Sequence, residues 1–494
     1  MLWTALILPQ LPLDCYAGTA THSPFAIVEK RRVHMANTGA REAGVRHDMA
    51  LSAALALCPA LQWRERDARL EKAALEALSL WALQYTSGVS LAAPHGLLLE
   101  TGGSARLFGG LEPLLEQIGA GVAAQGYGAV LASAPTPTGA LMLARSGYAV
   151  HLQSVAELRR ALPGLPAAAL LGAQAYAATF ESLGARSVAD LLALPRDGLK
   201  RRFGDVLLDE LDRAFGHQPD PLRAITPPQS FKCSLALPAP AESSEALVYA
   251  SQRGLRQLEG FLRAGKQAVD RIELTLHHER HTKRDTAQND VTLTLHLMQP
   301  SADAQRFTLL LAERLNRHTL ERRVERITLA APQLLRSEEA TRSLLFEEES
   351  ANKSLRDLLE RLHARLGAEA VHSLRVEADH RPAQAACAAA LLDTAAPAGA
   401  ARKKPKAPLP LPAFGPRPVW FLDPPRPLRE VNQAPFYEGP LKLLAPPERI
   451  ESGWWDGEQI RRDYFLAQTV DGTLVWIFRD HQQPLGWFLQ GYFA

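Results

Sequence analysis

Leu2-Trp3-Thr4-Ala5-Leu6-Ile7-Leu8 runs directly into Pro9-Gln10-Leu11-Pro12-Leu13-Asp14, and a second apolar run, Leu97-Leu98-Leu99-Glu100-Thr101-Gly102-Gly103, follows Ala93-Pro94-His95-Gly96. The first run does not alternate apolar with polar, which is the pattern of a strand buried on both faces. Strand-like and helix-like segments continue to about residue 155. Asp67 to Ala82 and Ser104 to Ala124 carry helical patterns, and Gly128 to Ala132 reads as a strand. Thr136-Pro137 then opens a helix with a capping threonine and a proline at the first helical position. This order predicts an α+β domain over 1–155 with a helical insertion.

Residues 156–226 read as helical. Ser154-Val155-Ala156-Glu157 is a capping-box pattern, and Phe180 to Leu192 reads as helix, glycine turn at Gly184, and a new helix capped by Ser187. Such a hairpin can rest on a phosphate backbone through turn amides and helix N-termini. Lys200-Arg201-Arg202 follows it. Over 227–336 the period switches between 2 and 3.6 in the order β-α-β-β-α-β, which predicts a four-stranded sheet with helices on one face. Its central hairpin is joined by a basic connection that includes Arg280, Lys283 and Arg284. Residues 337–393 begin as an acidic loop interrupted by Ser343-Leu344-Leu345-Phe346 and continue into a helix over Leu355 to Leu366. Residues 394–418 form a Pro/Ala-rich linker, and 419–494 hold five of the eight tryptophans and read as a small aromatic-rich β module. Within that module, Asp471-Gly472 predicts a type I′ hairpin turn.

A chain of 494 residues with 47% hydrophobic content has room for several packed domains. A net charge of +2 requires any nucleic-acid surface to be a local patch. Cys15, Cys58, Cys233 and Cys387 lie far apart with no CxxC spacing, which argues against a disulfide framework or a zinc site and fits a reducing cytoplasm. No basic leader segment and no apolar run of membrane-spanning length are present, so a cytoplasmic protein without a membrane partner is expected.

Four blocks in order resemble the Y-family (UmuC-like, translesion) DNA polymerases. Ala40 to Met49 followed by Ala53 to Pro59 is similar to the fingers block, so that about 20–82 is fingers-like within a 1–155 palm. Leu131 to Pro135 leading into Ala140 to Arg145 is similar to the later palm segment. Residues 156–226 resemble the thumb with its helix-hairpin-helix, and 227–336 the βαββαβ little finger. The tail, from Gly439 to Leu444, Pro447 to Gly457 and Arg461 to Phe465, resembles the C-terminal block of the ImuB-type branch, whose members lack the catalytic acids.

The resemblance implies a palm that would hold two magnesium ions on carboxylates. Here Pro9 and Leu11 stand at the first-strand acid positions, and His95 and Gly96 at the acid pair. No catalytic or metal-binding residue and no cofactor is therefore expected. The resemblance implies a non-catalytic adaptor in damage-induced (SOS) translesion synthesis and mutagenesis. It would bind primer-template DNA without sequence preference through Lys200, Arg201, Arg202, Arg271, Arg280, Lys283 and Arg284. Ser343-Leu344-Leu345-Phe346 resembles the extended sliding-clamp peptide of the family, although Arg342 replaces its glutamine. The tail, with Trp454, Trp455, Tyr464 and Phe465, would recruit an ImuA-type recombinase-like protein and an error-prone C-family DNA polymerase. The alternatives are an active DNA-directed DNA polymerase using displaced acids such as Asp14 and Glu100, and a plain DNA-binding repair module without a clamp partner.

Overall fold

The computed structural model describes all residues except 17–22, 280–289, 338–345, 368, 391–416, 484 and 494, and of 346–353 and 390 the backbone only. It divides into two compact units, Met1–Leu366 and Gly367–Ala494.

The first unit opens with β1 (Trp3–Ile7) and a short helix α1 (Leu11–Asp14). Then come β2 (Phe25–Glu29), β3 (Arg32–Ala36), α2 (Thr38–Glu42), α3 (Leu51–Leu57) and β4 (Gln62–Glu65). These pair as a sheet in the order β3-β2-β4 over their own small core of Ala26, Val33, Ala40, Val45, Ala54, Cys58 and Leu61. The sequence reading missed these strands, which are short and carry little alternation. The chain continues with α4 (Ala68–Ala82), β5 (Val89–Ala92), β6 (Gly96–Glu100), α5 (Leu111–Ala124), β7 (Val130–Ala134) and α6 (Pro137–Arg145). Asp67 caps α4, its Oδ1 accepting from the Arg69 and Leu70 amides, and the expected cap at Thr136 is present, its Oγ1 accepting from the Gly139 amide.

An antiparallel sheet, β5-β6-β1-β7, is the centre of this half. The unalternated first strand is buried on both faces. Leu6 and Leu8 enter a core with α4 and α5, while Ala5 and Ile7 enter another with α6 and the helices that follow. The polar Thr4, fully buried in β1, is satisfied by the hydroxyls of Thr101 and Ser133, each at 2.9 Å.

The helices α7 (Val155–Ala161), α8 (Leu171–Gln174), α9 (Ala177–Ser182), α10 (Val188–Ala193), α11 (Arg196–Phe203) and α12 (Asp205–Ala214) follow. Capping boxes at Ser154 and Ser187 start α7 and α10. The sheet β10-β9-β11-β8 is built from β8 (Phe231–Ala241), α13 (Ser244–Ala264), β9 (Gln267–His278), β10 (Val291–Ser301), α14 (Ala304–Arg317) and β11 (Val324–Ala331). Both helices bury one face of it, and β12 (Leu335–Arg336) adds to β9. The helix α15 (Phe346–Leu366) begins nine residues earlier than periodicity predicted. It is anchored by Glu360, which is 3% exposed and takes Arg306 at 2.6 Å and the Met298 amide at 2.6 Å.

The second unit holds the hairpin β13 (His372–Val376) with β14 (Ala386–Ala390), then β15 (Trp420–Pro427), β16 (Arg429–Val431), β17 (Ala434–Phe436), β18 (Lys442–Leu443), β19 (Glu448–Ser452), β20 (Ile460–Gln468), β21 (Leu474–Asp480) and β22 (Gly486–Tyr492). The β20–β21 hairpin is present, but its turn differs from the type I′ expectation. A type I′ turn needs two positive φ angles in a two-residue loop. Here residues 469–473 span the strands and, of these, Gly472 alone has positive φ, at 94°.

Candidate metal centre and nucleic-acid interface

The β1–β6 register pairs Ile7 with Gly96, and the Leu8 amide donates to His95 O at 2.8 Å. One end of the central sheet therefore gathers the positions the resemblance assigns to metal-binding acids. Leu11 is fully buried in α1. A Cβ on Gly96 would stand 2.5 Å from Ile7 Cδ1 and 3.2 Å from the carbonyl oxygens of Leu6 and Ala92, so a larger side chain requires Ile7 to swing away. Magnesium takes oxygen ligands in near-octahedral geometry. Pro9, Leu11 and Gly96 offer no side-chain oxygen, and imidazole is a poor magnesium ligand, so these residues do not fit the ion. Among the described residues, no group of three or more His, Cys, Asp or Glu side chains is placed to hold a metal.

The carboxylate beside His95 belongs to Glu71, from the first turn of α4. It is 5% exposed and binds Arg66 in a fork, Nε to Oε1 at 2.8 Å and Nη2 to Oε2 at 3.1 Å. Arg66 also reaches Glu29 at 3.4 Å, and His34 lies 3.6 Å from Glu29. His95 Nδ1 is 4.0 Å from Glu71 Oε2, beyond hydrogen-bond reach. Burial holds the His95 imidazole below its ordinary pKa against the pull of Glu71, and Arg66 adds to the lowering. A guanidinium thus neutralises the carboxylate nearest the acid-pair position.

The displaced acids do not converge. Asp14 Oδ2 accepts from the Gly128 amide at 2.9 Å, and burial pushes its pKa up to about 6, against the Gly128 amide and the Arg253 charge. Glu100 pairs across from Trp3, at the opposite end of β1, and accepts from the Gly103 amide at 3.3 Å. The four residues of strand from Gly96 to Glu100 put roughly 13 Å between those ends.

Arg253, from the middle of α13, was not singled out by sequence. It is 6% exposed, donates to Asp14 O, and lies 4.5 Å from the centre of the Tyr127 ring. It joins the βαββαβ block to the segment immediately after the acid positions. A helix position 239 residues away in sequence carries no local signal of this contact.

The sequence-predicted cations are placed separately. Lys200, Arg201 and Arg202 occupy the last turn of α11, where the helix dipole favours cations on its own. Lys200 pairs with Asp205 at 2.9 Å, Arg201 Nε donates to Asp197 O at 3.2 Å, and Arg202 is exposed. The hairpin itself departs from the phosphate-binding expectation. The amides of Leu183, Gly184 and Ala185 donate to Thr179, Glu181 and Phe180, and those of Arg186 and Ser187 to the Asp190 carboxylate. Its turn amides are spent internally, and the carboxylate at the start of α10 opposes an anion.

The face of β9 opposite its helices is polar. Arg271 reaches Glu273 at 3.5 Å, and Thr275 bonds Thr292 at 3.0 Å. His277 bridges Asp290 at 2.6 Å and Thr328 at 2.8 Å. Alternation on the strands signals this face, while the cross-strand network depends on register. Arg280, Lys283 and Arg284 lie outside the described residues, as do Ser343, Leu344 and Leu345. Phe346 is the first residue of α15, so an extended conformation does not reach that position.

In the second unit, Tyr464 is 1% exposed and stacked on Trp476 with ring centres 4.2 Å apart. This corrects its reading as a partner-facing residue. Phe465 points to the other face of β20, is half-buried, and packs against Trp487 at 5.2 Å. Both faces of this sheet are covered, so consecutive residues are both drawn into cores. Trp454 and Trp455 remain 68% and 57% exposed, edge to face at 4.7 Å.

The impB/mucB/samB family model matches residues 19–145. Protein ImuB of Caulobacter vibrioides, from strain NA1000 / CB15N and from strain ATCC 19089 / CIP 103742 / CB 15, is 29% identical over 458 residues, covering 89% of this chain and 98% of the relative. Among solved structures, one described as a Dbh ternary complex with partially disordered substrates overlays with TM-score 0.37 and 16% identity, covering 68% of this chain and 99% of that chain. DinB from Sulfolobus solfataricus gives the same values. Residues 19–145 are thus similar to the impB/mucB/samB family, and the chain over most of its length is similar to Protein ImuB.

Proposed function

We propose that this protein is a non-catalytic adaptor in DNA-damage-induced translesion synthesis and mutagenesis. Its polymerase-like body binds primer-template DNA, its segment around Ser343 to Phe346 engages the sliding clamp, and its tail recruits an ImuA-type partner and an error-prone C-family polymerase. The observation that carries the reading is the end of the central sheet. Pro9, Leu11, His95 and Gly96 offer no oxygen cage, and the nearby Glu71 is forked onto Arg66. Two-metal phosphoryl transfer needs ions to stabilise both the attacking and the leaving oxygen. Likeness to ImuB over 89% of the chain supports the same reading.

Primer extension with magnesium or manganese, on undamaged and damaged templates, is the test. No incorporation by the purified chain is expected. Incorporation that is lost in Asp14→Ala or Glu100→Ala would establish an active polymerase with displaced acids instead. Clamp capture by the full chain is expected to fall in the Leu345→Ala/Phe346→Ala variant, and unchanged capture removes that segment from the clamp interface.

A further inference from the structure

Between β19 and β20 the chain exposes Trp454-Trp455-Asp456-Gly457-Glu458. A loop with two exposed indoles normally loses conformational entropy when it docks. This one is held in advance. Arg381, in the turn between β13 and β14, is 4% exposed and grips it with both ends of its fork. Nη1 and Nη2 donate to the Asp456 carboxylate at 3.0 and 2.6 Å, and Nη1 also donates to Glu458 O at 3.2 Å. Nε and Nη2 hold Asp379 at 3.0 and 2.7 Å. Gln384 closes the other side through Glu458 Oε2 at 2.7 Å. A Cβ on Gly453 would stand 2.7 Å from Arg381 Nη1, so the approach requires glycine there.

The grip also sets the charge. Two carboxylates, Asp379 and Asp456, share one guanidinium, and the exposed Glu458 carboxylate, held by Gln384, adds a third negative charge to the loop. That surplus repels a phosphate backbone and attracts a cation to the exposed rings, where a guanidinium or ammonium gains cation–π attraction. The same chemistry already operates from beneath, with Arg381 5.7 Å from the Trp455 ring centre.

We propose that Trp454 and Trp455 form a preorganised docking blade for a protein partner that presents arginine or lysine among aliphatic side chains, with Arg381 as the positioning residue. This rests on the reading of the tail as the recruiting part and specifies the chemistry it recruits. The test uses the full chain and the fluorescein-labelled, amidated hexapeptide Leu-Arg-Leu-Leu-Arg-Leu, followed by fluorescence anisotropy. Its glutamate counterpart and a labelled oligothymidylate run in parallel. Saturable binding of the arginine peptide is expected. It should weaken by about tenfold in Trp454→Ala/Trp455→Ala, as for loss of an aromatic hot spot. It should weaken by about threefold in Glu458→Gln, which removes a rim charge and leaves the Arg381 grip in place. Unchanged peptide affinity in Glu458→Gln, or a preference for the glutamate peptide, overturns the proposal whether or not the double variant folds. Oligothymidylate binding that disappears in the double variant would assign the blade to nucleic acid. None of these outcomes depends on primer extension, so failure here is separable from failure of the adaptor reading.

Discussion

Arg66→Ala isolates what neutralises the end of the central sheet. The substitution leaves the Glu71 carboxylate, 5% exposed, without its fork of 2.8 and 3.1 Å. Breaking a buried pair by removing one partner costs about 3–5 kcal/mol. The Arg66 side chain is 24% exposed, so water can replace part of its contribution and the expected loss is nearer 2–3 kcal/mol. A unit spanning Met1–Leu366 unfolds with roughly 0.8 kcal/mol/K of entropy, so its melting point should fall by about 3–4 °C. The loss should depend on pH through His95, which faces Glu71, Arg66 and His34.

In the native protein, burial first and then Arg66 hold His95 below 6.5. The folded ring stays neutral where the unfolded one takes a proton, and native stability falls as pH drops below about 6.5. Without Arg66, the unpaired Glu71 raises the His95 pKa. Its contribution is then present at low pH and lost as pH rises through the raised value. The gap between native and variant should therefore shrink from pH 7.5 to pH 6. Calorimetry at both pH values checks this, with Arg66→Met/Glu71→Gln expected within about 1 kcal/mol of the native protein because both charges leave together. A melting shift under about 1 °C at pH 7.5 on this scale, or a gap that widens on acidification, refutes the coupling.

Arg253→Ala removes a donor to Asp14 O and the cation over Tyr127, and should cost about 2–4 kcal/mol, read as faster hydrogen exchange in α13 and in residues 126–128. Unchanged exchange there would show that Arg253 does not hold the block in place. Tyr464→Ala empties the site against Trp476 and Phe478 and should destabilise the second unit by about 3–5 kcal/mol, whereas Trp454→Ala on the exposed loop should stay within about 0.5 kcal/mol. Equal melting of the two variants would contradict the burial assignment. Asp463 is held at about 2 chiefly by its hydrogen bond from Arg449, with His481 adding to the lowering. Its contribution is present above the unfolded value of 3.8 and lost as pH falls toward 2, so Asp463→Asn should flatten the acid limb of the second unit's stability curve.

The parts that were legible in sequence are those whose cause is local. Thr136, Ser154 and Ser187 cap helices because their hydroxyls reach amides three residues ahead, and each cap is present. The β-α-β-β-α-β order follows from side-chain period, and β1 from its unalternated apolar run. The candidate site was legible only as missing oxygen atoms. What stands beside those positions required long-range register. The local Arg66–Glu71 pair comes to stand beside His95 only after α4 packs under the sheet, and Arg253 crosses 239 residues to reach Asp14. Tyr464 was misjudged because an aromatic residue on a β strand reads alike on either covered face.

On the adaptor reading, the residues at the sheet end also follow an electrostatic logic. A carboxylate cluster is tolerable in a polymerase palm because divalent cations neutralise it. Without them, two unit charges at 4 Å repel by about 4 kcal/mol at an effective dielectric near 20. On the adaptor reading, a body that no longer holds ions would gain stability by losing its acids. The neighbourhood agrees with such an adjustment: proline, leucine and glycine carry no charge, the burial-shifted His95 is biased toward neutrality, and Glu71 has its own guanidinium. Introducing acids alone should therefore yield a less stable protein before it yields a catalyst. Pro9→Asp/His95→Asp/Gly96→Glu adds three carboxylates at the sheet end, one of them at the position beside Glu71, and forces Ile7 from Gly96. The variant should melt below the native protein in chelator and regain part of the loss when magnesium or manganese is added. Cation-independent melting would show that these positions do not converge on one site.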